Sequence, residues 1–453
     1  MGKINGANLK KAFYYLKRNG LKNTWYAASE RLTDRENASY CFIPPSSKQL
    51  EIQREKASGF SACFSIVVPT YRTRENYLRE MIDSVIGQSY PKWELILADA
   101  TEDDSVEKII RVYKDTRIRF IKLEQNLGIA ENTNRALEYV TKSYTALLDH
   151  DDVLTEDALF EMAEQIEMGK NKGTELKMLY SDEDKCNGAR TLYYEPNLKE
   201  KFNLDLLLSN NYICHLLVLE SSLIKELGFR KEYDGAQDYD LILRAAEKLM
   251  EDESQIVHVS KVLYHWRCHT DSTAQNPQSK QYAYEAGRRA VQDFADRKGW
   301  RAKAVDLKHL GFYGLEYATS ALEERKDLGA VGGKLLERGK IAGGRYGEDG
   351  SVYYKGLPAV YGGYLHKAVL QQDALAVDIR MVMVRRECRT LFQQIVGVPY
   401  VTLPGQETFD ASVLPEGADI PSLSLAFGKA LHRAGYRVLW QPSWTKKCGR
   451  NGI

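Results

Sequence analysis

Behind the apolar run YTALL at residues 144–148 stand Asp149, His150, Asp151 and Asp152, three carboxylates and an imidazole in four consecutive positions. Neighbouring carboxylates repel and cost stability unless something positive sits between them. Mg2+ and Mn2+ prefer carboxylate oxygens, use one or two of them, and complete their shell with phosphate and water. Asp149 and Asp151, two apart at the end of what reads as a buried strand, have the spacing to present such a pair. The plainer alternative is a solvated acidic loop, or a helix start with Asp152 or Thr155 as its N-cap.

The elements that must position these groups alternate along the chain. FSIVVPTY (64–71), WELILADA (93–100), IRFIKLEQN (118–126) and YTALLDHDD (144–152) are short apolar runs of strand type. Between them RENYLREMIDSVIGQ, DDSVEKIIRVYKD and NTNRALEYVTK have helical spacing. This alternation predicts an α/β fold, a mostly parallel sheet flanked by helices. Ligands of such sheets bind beyond the carboxyl ends of the strands. There the sequence places Pro69, Thr70 and Tyr71, then Asp99, then Asn126 and Gly128, then Asp149 to Asp152. No GxGxxG follows the first strand, which argues against a dinucleotide dehydrogenase, and no GxxxxGK[ST] occurs. The preceding stretch IPPSSKQLEIQREKASG reads as polar and loop-like.

With 453 residues the chain exceeds one ordinary core, so two or three domains are expected. Its 43% hydrophobic and 28% charged residues are those of a globular protein, and a net charge of +1 creates no field that would favour nucleic acid. Seven scattered cysteines without a CxxC pair read as reduced thiols, so the expected location is cytoplasmic. No signal peptide and no apolar run of about 18 residues is evident. The N-terminal stretch carries Lys10, Lys11, Lys17, Arg18 and Lys22 among Phe13, Tyr14, Tyr15, Leu16 and Trp25. Such a helix suits peripheral contact with an anionic membrane at its inner face, or packing on the next domain.

Several motifs, taken in order, resemble the family 2 glycosyltransferases of GT-A (nucleotide-diphospho-sugar transferase) fold, and among them the bacterial surface-polysaccharide and O-antigen enzymes. They are FSIVVPTYR, WELILADATEDD, NLGIAENTNRAL, ALLDHDD, YSDEDK, GAQDYDLILR and VLYHWRCHTDSTA, spanning roughly residues 60 to 275. The resemblance implies that Pro69, Thr70, Tyr71, Asn126, Gly128 and Asn132 line the nucleotide of a UDP- or dTDP-sugar, with Asp99 reading the base. Where the family often has two adjacent aspartates, Ala100 replaces the second. It further implies that Asp149 and Asp151 hold Mn2+ or Mg2+ beside the diphosphate, with His269 as third ligand and His265 as the competing candidate. Arg267 and Ser272 would meet the diphosphate. Asp238 is implied as the general base of an inverting displacement, with Asp240 as alternative. Asp182, Asp184, Gln237 and His265, together with Asn210, Asn211 and His215, are implied contacts to the sugar or acceptor.

The implied activity is sugar transfer from a nucleotide-diphosphate donor to a hydroxyl of a surface polysaccharide or lipid-linked glycan. The alternative is a non-catalytic sugar-nucleotide or glycan-binding subunit of a polysaccharide assembly. The expected division is a basic helical segment and linker at 1–58, a GT-A catalytic domain at 59–275, a helical connector at 276–325, and a partial, degenerate glycosyltransferase-like domain at 326–453. In this last part the strand with a PTY-like turn, the base-reading aspartate and the DxD are missing. It reads as an inactive scaffold, an acceptor platform or a homodimer contact.

Overall fold

The computed structural model describes residues 6–33, 40–268 and 281–448. The chain forms two compact units, one of residues 1–11, 34–202 and 211–294, the other of 12–33, 203–210 and 295–453.

The first unit is built on β1 (Phe64–Thr70), β2 (Trp93–Asp99), β3 (Ile118–Lys122), β4 (Tyr144–Leu147), β5 (Val153–Leu154), β6 (Met178–Asn187), β7 (Tyr193–Asn197), β8 (Leu217–Glu220) and β9 (Ile256–Cys268). Their order is β3-β2-β1-β4-β8-β6-β9-β5, with β7 paired to β6. The run β3-β2-β1-β4 is parallel, as the alternation predicts, and β8 joins β4 antiparallel. Beyond it, β6 and β9 run parallel to each other. Phe64, Ile66, Val67 and Val68 have no exposed surface, because helices cover both faces of a parallel sheet. The helix Glu75–Ile86 buries Tyr77, Leu78, Met81, Ile82 and Val85, an i, i+1, i+4, i+5, i+8 stripe that packs one face inward.

Two local readings differ from the sequence expectation. The stretch read as a polar loop contains the helix Ser47–Ala57. Ser46 and Gln49 form a reciprocal capping box, and the helix buries only Leu50, Gln53 and Ala57, too sparse a stripe to stand out in a polar sequence. The fourth strand stops at Leu147, so the acidic group lies in the turn between β4 and β5. The next helix, Ala158–Asn171, begins after Asp157, which excludes Asp152 and Thr155 as its N-cap.

The second unit holds the hairpin β10 (Ala302–Asp306) and β11 (Tyr313–Tyr317), then β12 (Leu328–Glu337), β13 (Lys340–Gly343), β14 (Arg345–Tyr346), β15 (Gln372–Asp373), β16 (Ala376–Val377), β17 (Val382–Val384) and β18 (Arg437–Lys447). Its main sheet has the order β13-β12-β18-β15, with β17 also on β12. Only the β12–β18 pair in that sheet is parallel. Gly332 and Gly333 allow close approach: a Cβ would sit 2.4 Å from the Val377 Cβ and 2.3 Å from the Trp444 carbonyl oxygen. Phe392, Phe409, Phe427 and Trp440 fill the core.

The short helix Leu204–Ser209 joins this unit through polar contacts. Asn203 exchanges two hydrogen bonds with the Asp373 backbone, at 3.0 and 2.9 Å. The fully buried Arg325 pairs with Asp205, pairs with Asp327 at 2.7 Å, and lies 4.4 Å from the Trp300 ring centre. Removing one member of such a buried pair leaves the other charge uncompensated. Arg325→Met is therefore expected to destabilise the second unit by about 3–5 kcal/mol in urea unfolding, and adding Asp205→Asn should recover part of the loss.

Candidate active site

The carboxyl ends of β1 and β2 are joined side by side, with Thr70 in register with Asp99. The buried Asp99 carboxylate accepts from Thr70 Oγ1 (3.1 Å), Thr101 N (3.1 Å), Thr101 Oγ1 (2.6 Å) and Lys122 Nζ (2.9 Å). The group expected to read a base is thus engaged in holding three strand ends together. Pro69 is half-buried, whereas Tyr71 is exposed and donates its hydroxyl to Glu102 at 3.0 Å. Arg72 forks onto the same carboxylate at 2.9 and 3.0 Å, and that contact lowers the Glu102 carboxyl to about 2. Arg72, Thr101 and Glu102 lie inside the motifs FSIVVPTYR and WELILADATEDD without an assigned role of their own, and Lys122 lies outside the motifs. Only their place after strand ends marks them.

The third strand end is closed by its own side chains. Asn126 Oδ1 accepts from Gly128 N (3.1 Å) and Asn132 Nδ2 (2.9 Å), while Asn132 Oδ1 accepts from Leu127 N (3.2 Å). Gly128 has φ +101°, and a Cβ there would lie 2.4 Å from Asp234 Oδ2. The other oxygen of Asp234 accepts from Ala130 N at 3.1 Å, at the start of the helix Ile129–Leu137. Asp234, which no sequence motif marks, therefore ties this loop to the segment that leads into the helix Gln237–Leu249.

The acidic turn is held from β9. Asp152 is buried, and its two oxygens accept from Arg267 N (2.7 Å) and the Tyr264 hydroxyl (2.5 Å). The Arg267 guanidinium donates to the carbonyls of Asp151 (2.6 Å) and Gly188 (2.7 Å) and to Glu80 (2.7 Å), over the Tyr77 ring. Expected to meet a diphosphate, Arg267 is instead fully buried and bound within the fold, because its planar fork matches these oxygens.

Asp149 keeps 46% of its side-chain surface open. Desolvation by burial is nonetheless the largest influence on its carboxyl and raises it above the ordinary range. The Asp151 and Asp238 charges raise it further, and His215 and His150 oppose them. His215 Nε2 lies 3.7 Å from Asp149 Oδ2. Its ring stacks on Tyr264, and its Nδ1 and backbone N meet Glu183 Oε2 at 3.1 and 2.8 Å. Burial raises Glu183, but Lys199 and His215 outweigh that and hold it at about 2. Asp238, in the first turn of its helix, accepts from Asn211 Nδ2 at 3.0 Å. Asp240 points elsewhere, bonded to Arg230 and to Arg244 at 2.9 Å.

Residues 65–227 match the family model described as Glycosyl transferase family 2. This segment is therefore similar to a family 2 glycosyltransferase domain. The chain is 40% identical over 254 residues to the uncharacterized protein y4gI of Sinorhizobium fredii, covering 55% of this chain and 27% of that protein. It is 32% identical over 247 residues to the O-antigen biosynthesis protein RfbC of Myxococcus xanthus, covering 53% and 18%. The chain thus spans about a quarter or less of the length of these curated relatives. S. aureus TarS 1-349 in complex with UDP-GlcNAc is similar at 20% identity and a TM-score of 0.42, over 52% of this chain and 67% of that one.

Within the first unit, the acids of β6 divide by face, because successive strand residues point to opposite sides. Asp184 accepts from Tyr40 OH (2.7 Å) and pairs with His265 (2.5 Å), which packs against Phe42 and Tyr193. Asp182 pairs with His258 at 2.7 Å and accepts from Lys199 N. Asp182, Asp184 and His265 are therefore buried structural partners and do not reach the Asp149 cluster. Glu183 is the acid of this strand that does, through His215. Gln237 accepts from Gly235 N at 2.8 Å. His269 and Ser272 lie outside the described residues.

Among the described residues no three His, Cys, Asp or Glu form a closed metal cage. The donor set still suits a hard divalent cation, which takes only one or two carboxylates. The Asp151 charge raises the Asp149 carboxyl, an effect that a cation between them would relieve, and His150 Nδ1 and Asn211 Oδ1 are buried without a hydrogen-bond partner among the described residues.

Burial also raises the Asp152 carboxyl well above its ordinary value, with the Asp151 and Asp149 charges adding to the effect. The folded state then binds more protons than the unfolded one, so stability falls as pH rises from the ordinary carboxylate value, 3.8, through the raised one. Asp152→Asn can still accept from Arg267 N through its oxygen and donate its amide to the Tyr264 hydroxyl, and it cannot ionise. In urea unfolding of the metal-free protein, this variant should gain stability on wild type as pH rises to neutrality, by about 1.4 kcal/mol for each pH unit that separates the folded and unfolded values. A constant difference between the two proteins across that interval would refute it.

Proposed function

We propose that the protein is an inverting, metal-dependent glycosyltransferase that moves a sugar from a UDP- or dTDP-type donor to a hydroxyl of a surface polysaccharide or lipid-linked glycan. The observation that carries this reading is the convergence of Asp149, Asp151 and Asp238: the charges of the other two both act on the Asp149 carboxylate, which lies 3.7 Å from His215 Nε2. A binding module has no use for a carboxylate base beside a metal pair. The family 2 match over residues 65–227 and the name of the Myxococcus xanthus relative support the polysaccharide context.

Asp149 and Asp151 would hold Mn2+ or Mg2+, which when bound supplies positive charge for the departing diphosphate. Glu183 anchors His215, and His215 with Tyr264 keeps Asp149 oriented. Asp238 takes the proton of the acceptor hydroxyl as its oxygen attacks the anomeric carbon. Attack comes from the side opposite the leaving group, so the configuration inverts. Asn211 fixes the Asp238 rotamer through its amide.

Asp238→Asn is expected to lower kcat by about 10²–10⁴-fold while Mn2+ and UDP still bind, read as nucleoside diphosphate release from a panel of UDP- and dTDP-sugars. Retention of most turnover would place the base elsewhere. Asp149→Asn and Asp151→Asn should each abolish the bound-Mn2+ signal in electron paramagnetic resonance, and an unchanged signal would remove the metal assignment. Glu183→Gln is expected to raise KM for the donor more than it lowers kcat, because it frees His215 without touching the base.

A further inference from the structure

The helix Gly6–Thr33 has non-helical backbone angles at Gly20 (φ 76°, ψ 168°). From Tyr15 to Glu30 its described side chains divide between two sides. One side packs on the second unit. Tyr15 lies 5.2 Å from the His309 ring, Asn19 donates to the Lys308 carbonyl at 3.1 Å, and Lys308 donates to Asn23 at 3.2 Å. Ser29 meets the Tyr361 hydroxyl at 2.8 Å, and Glu30 accepts from the backbone N–H groups of Gly362 and Gly363.

The other side faces outward, with Lys17, Leu21, Lys22, Trp25 and Ala28 all exposed, whereas the Arg18 guanidinium donates to the Leu307 carbonyl at 3.0 Å on the packed side. Leu21 is 80% exposed and Trp25, one turn on, is 72% exposed. Isolated exposed apolar side chains need no explanation, but a leucine and a tryptophan on one face, set among cations, do. Between Tyr15 and Ser29 there are three basic residues and no acid. The single acid nearby, Glu30, is turned to the packed side.

We propose that this outward face docks on an anionic lipid surface. Two apolar side chains offer far less than the roughly 800 Å² per partner that a stable protein–protein interface buries, so a second copy or a protein partner is poorly served. The same pair fits the boundary between headgroups and acyl chains. Tryptophan's amphipathic ring favours that layer, and flanking Lys side chains are drawn to negatively charged headgroups. Among the described residues no helix is long and apolar enough to cross a membrane, so the contact is on the surface.

The test uses the full chain and does not depend on the sugar-transfer chemistry. Sedimentation with phosphatidylglycerol-containing vesicles is compared with sedimentation with vesicles of phosphatidylcholine alone. Wild type should partition onto the anionic vesicles, and high salt should weaken binding. L21S/W25S and, separately, K17E/K22E should each lower the apparent affinity by about tenfold or more. All these positions are exposed, so the melting temperature should not move. Equal binding to both vesicle types, or wild-type partitioning by either double variant, would overturn the proposal. So would a dimer in light scattering that L21S/W25S abolishes in the absence of lipid.

Discussion

The site depends on holding like charges together. Asp149, Asp151 and Asp152 lie in one turn, and repulsion would open it unless the fold opposed it. The opposing force comes from two neighbours on β9. Tyr264 donates to Asp152 and supports the His215 ring, while Arg267 binds Asp152 through its backbone N–H and Asp151 through its guanidinium. Both oxygens of Asp152 are thereby engaged within the fold, whereas Asp149 keeps part of its side chain open. A site poised to take up a cation is, without one, a source of instability that the surrounding core must offset.

The same logic separates structural from available acids elsewhere. Asp99, Asp182, Asp184, Asp234 and Asp240 are each matched by donors of the fold. For Asp99, Asp182, Asp184 and Asp240 burial forces that matching, since an unpaired carboxylate in a dry interior is costly. Glu183 is matched as well, but its partner His215 extends the network to Asp149. The second unit applies the rule with Arg325, whose buried charge is answered by Asp205 and Asp327.

By itself the sequence determined the alternation of strand and helix from β1 to β4, the placing of polar residues at strand ends, and a series of motifs resembling family 2 glycosyltransferases. These are local properties: a period of two or 3.6, a turn residue, a spacing. The spacing after a strand end marked Asp149 and Asp151, while the family resemblance marked Asp238. Tertiary structure alone decided which side chains those ends use internally. Arg267 looks free in the sequence and is buried over Tyr77 beside Glu80, because residues 187 positions apart meet in space. Asp182 and Asp184 look like an accessible pair, yet they point away from the cluster that Glu183 reaches. Which face of a strand is core depends on what packs there, here Tyr40, Phe42 and Tyr193, and no local pattern encodes those distant neighbours.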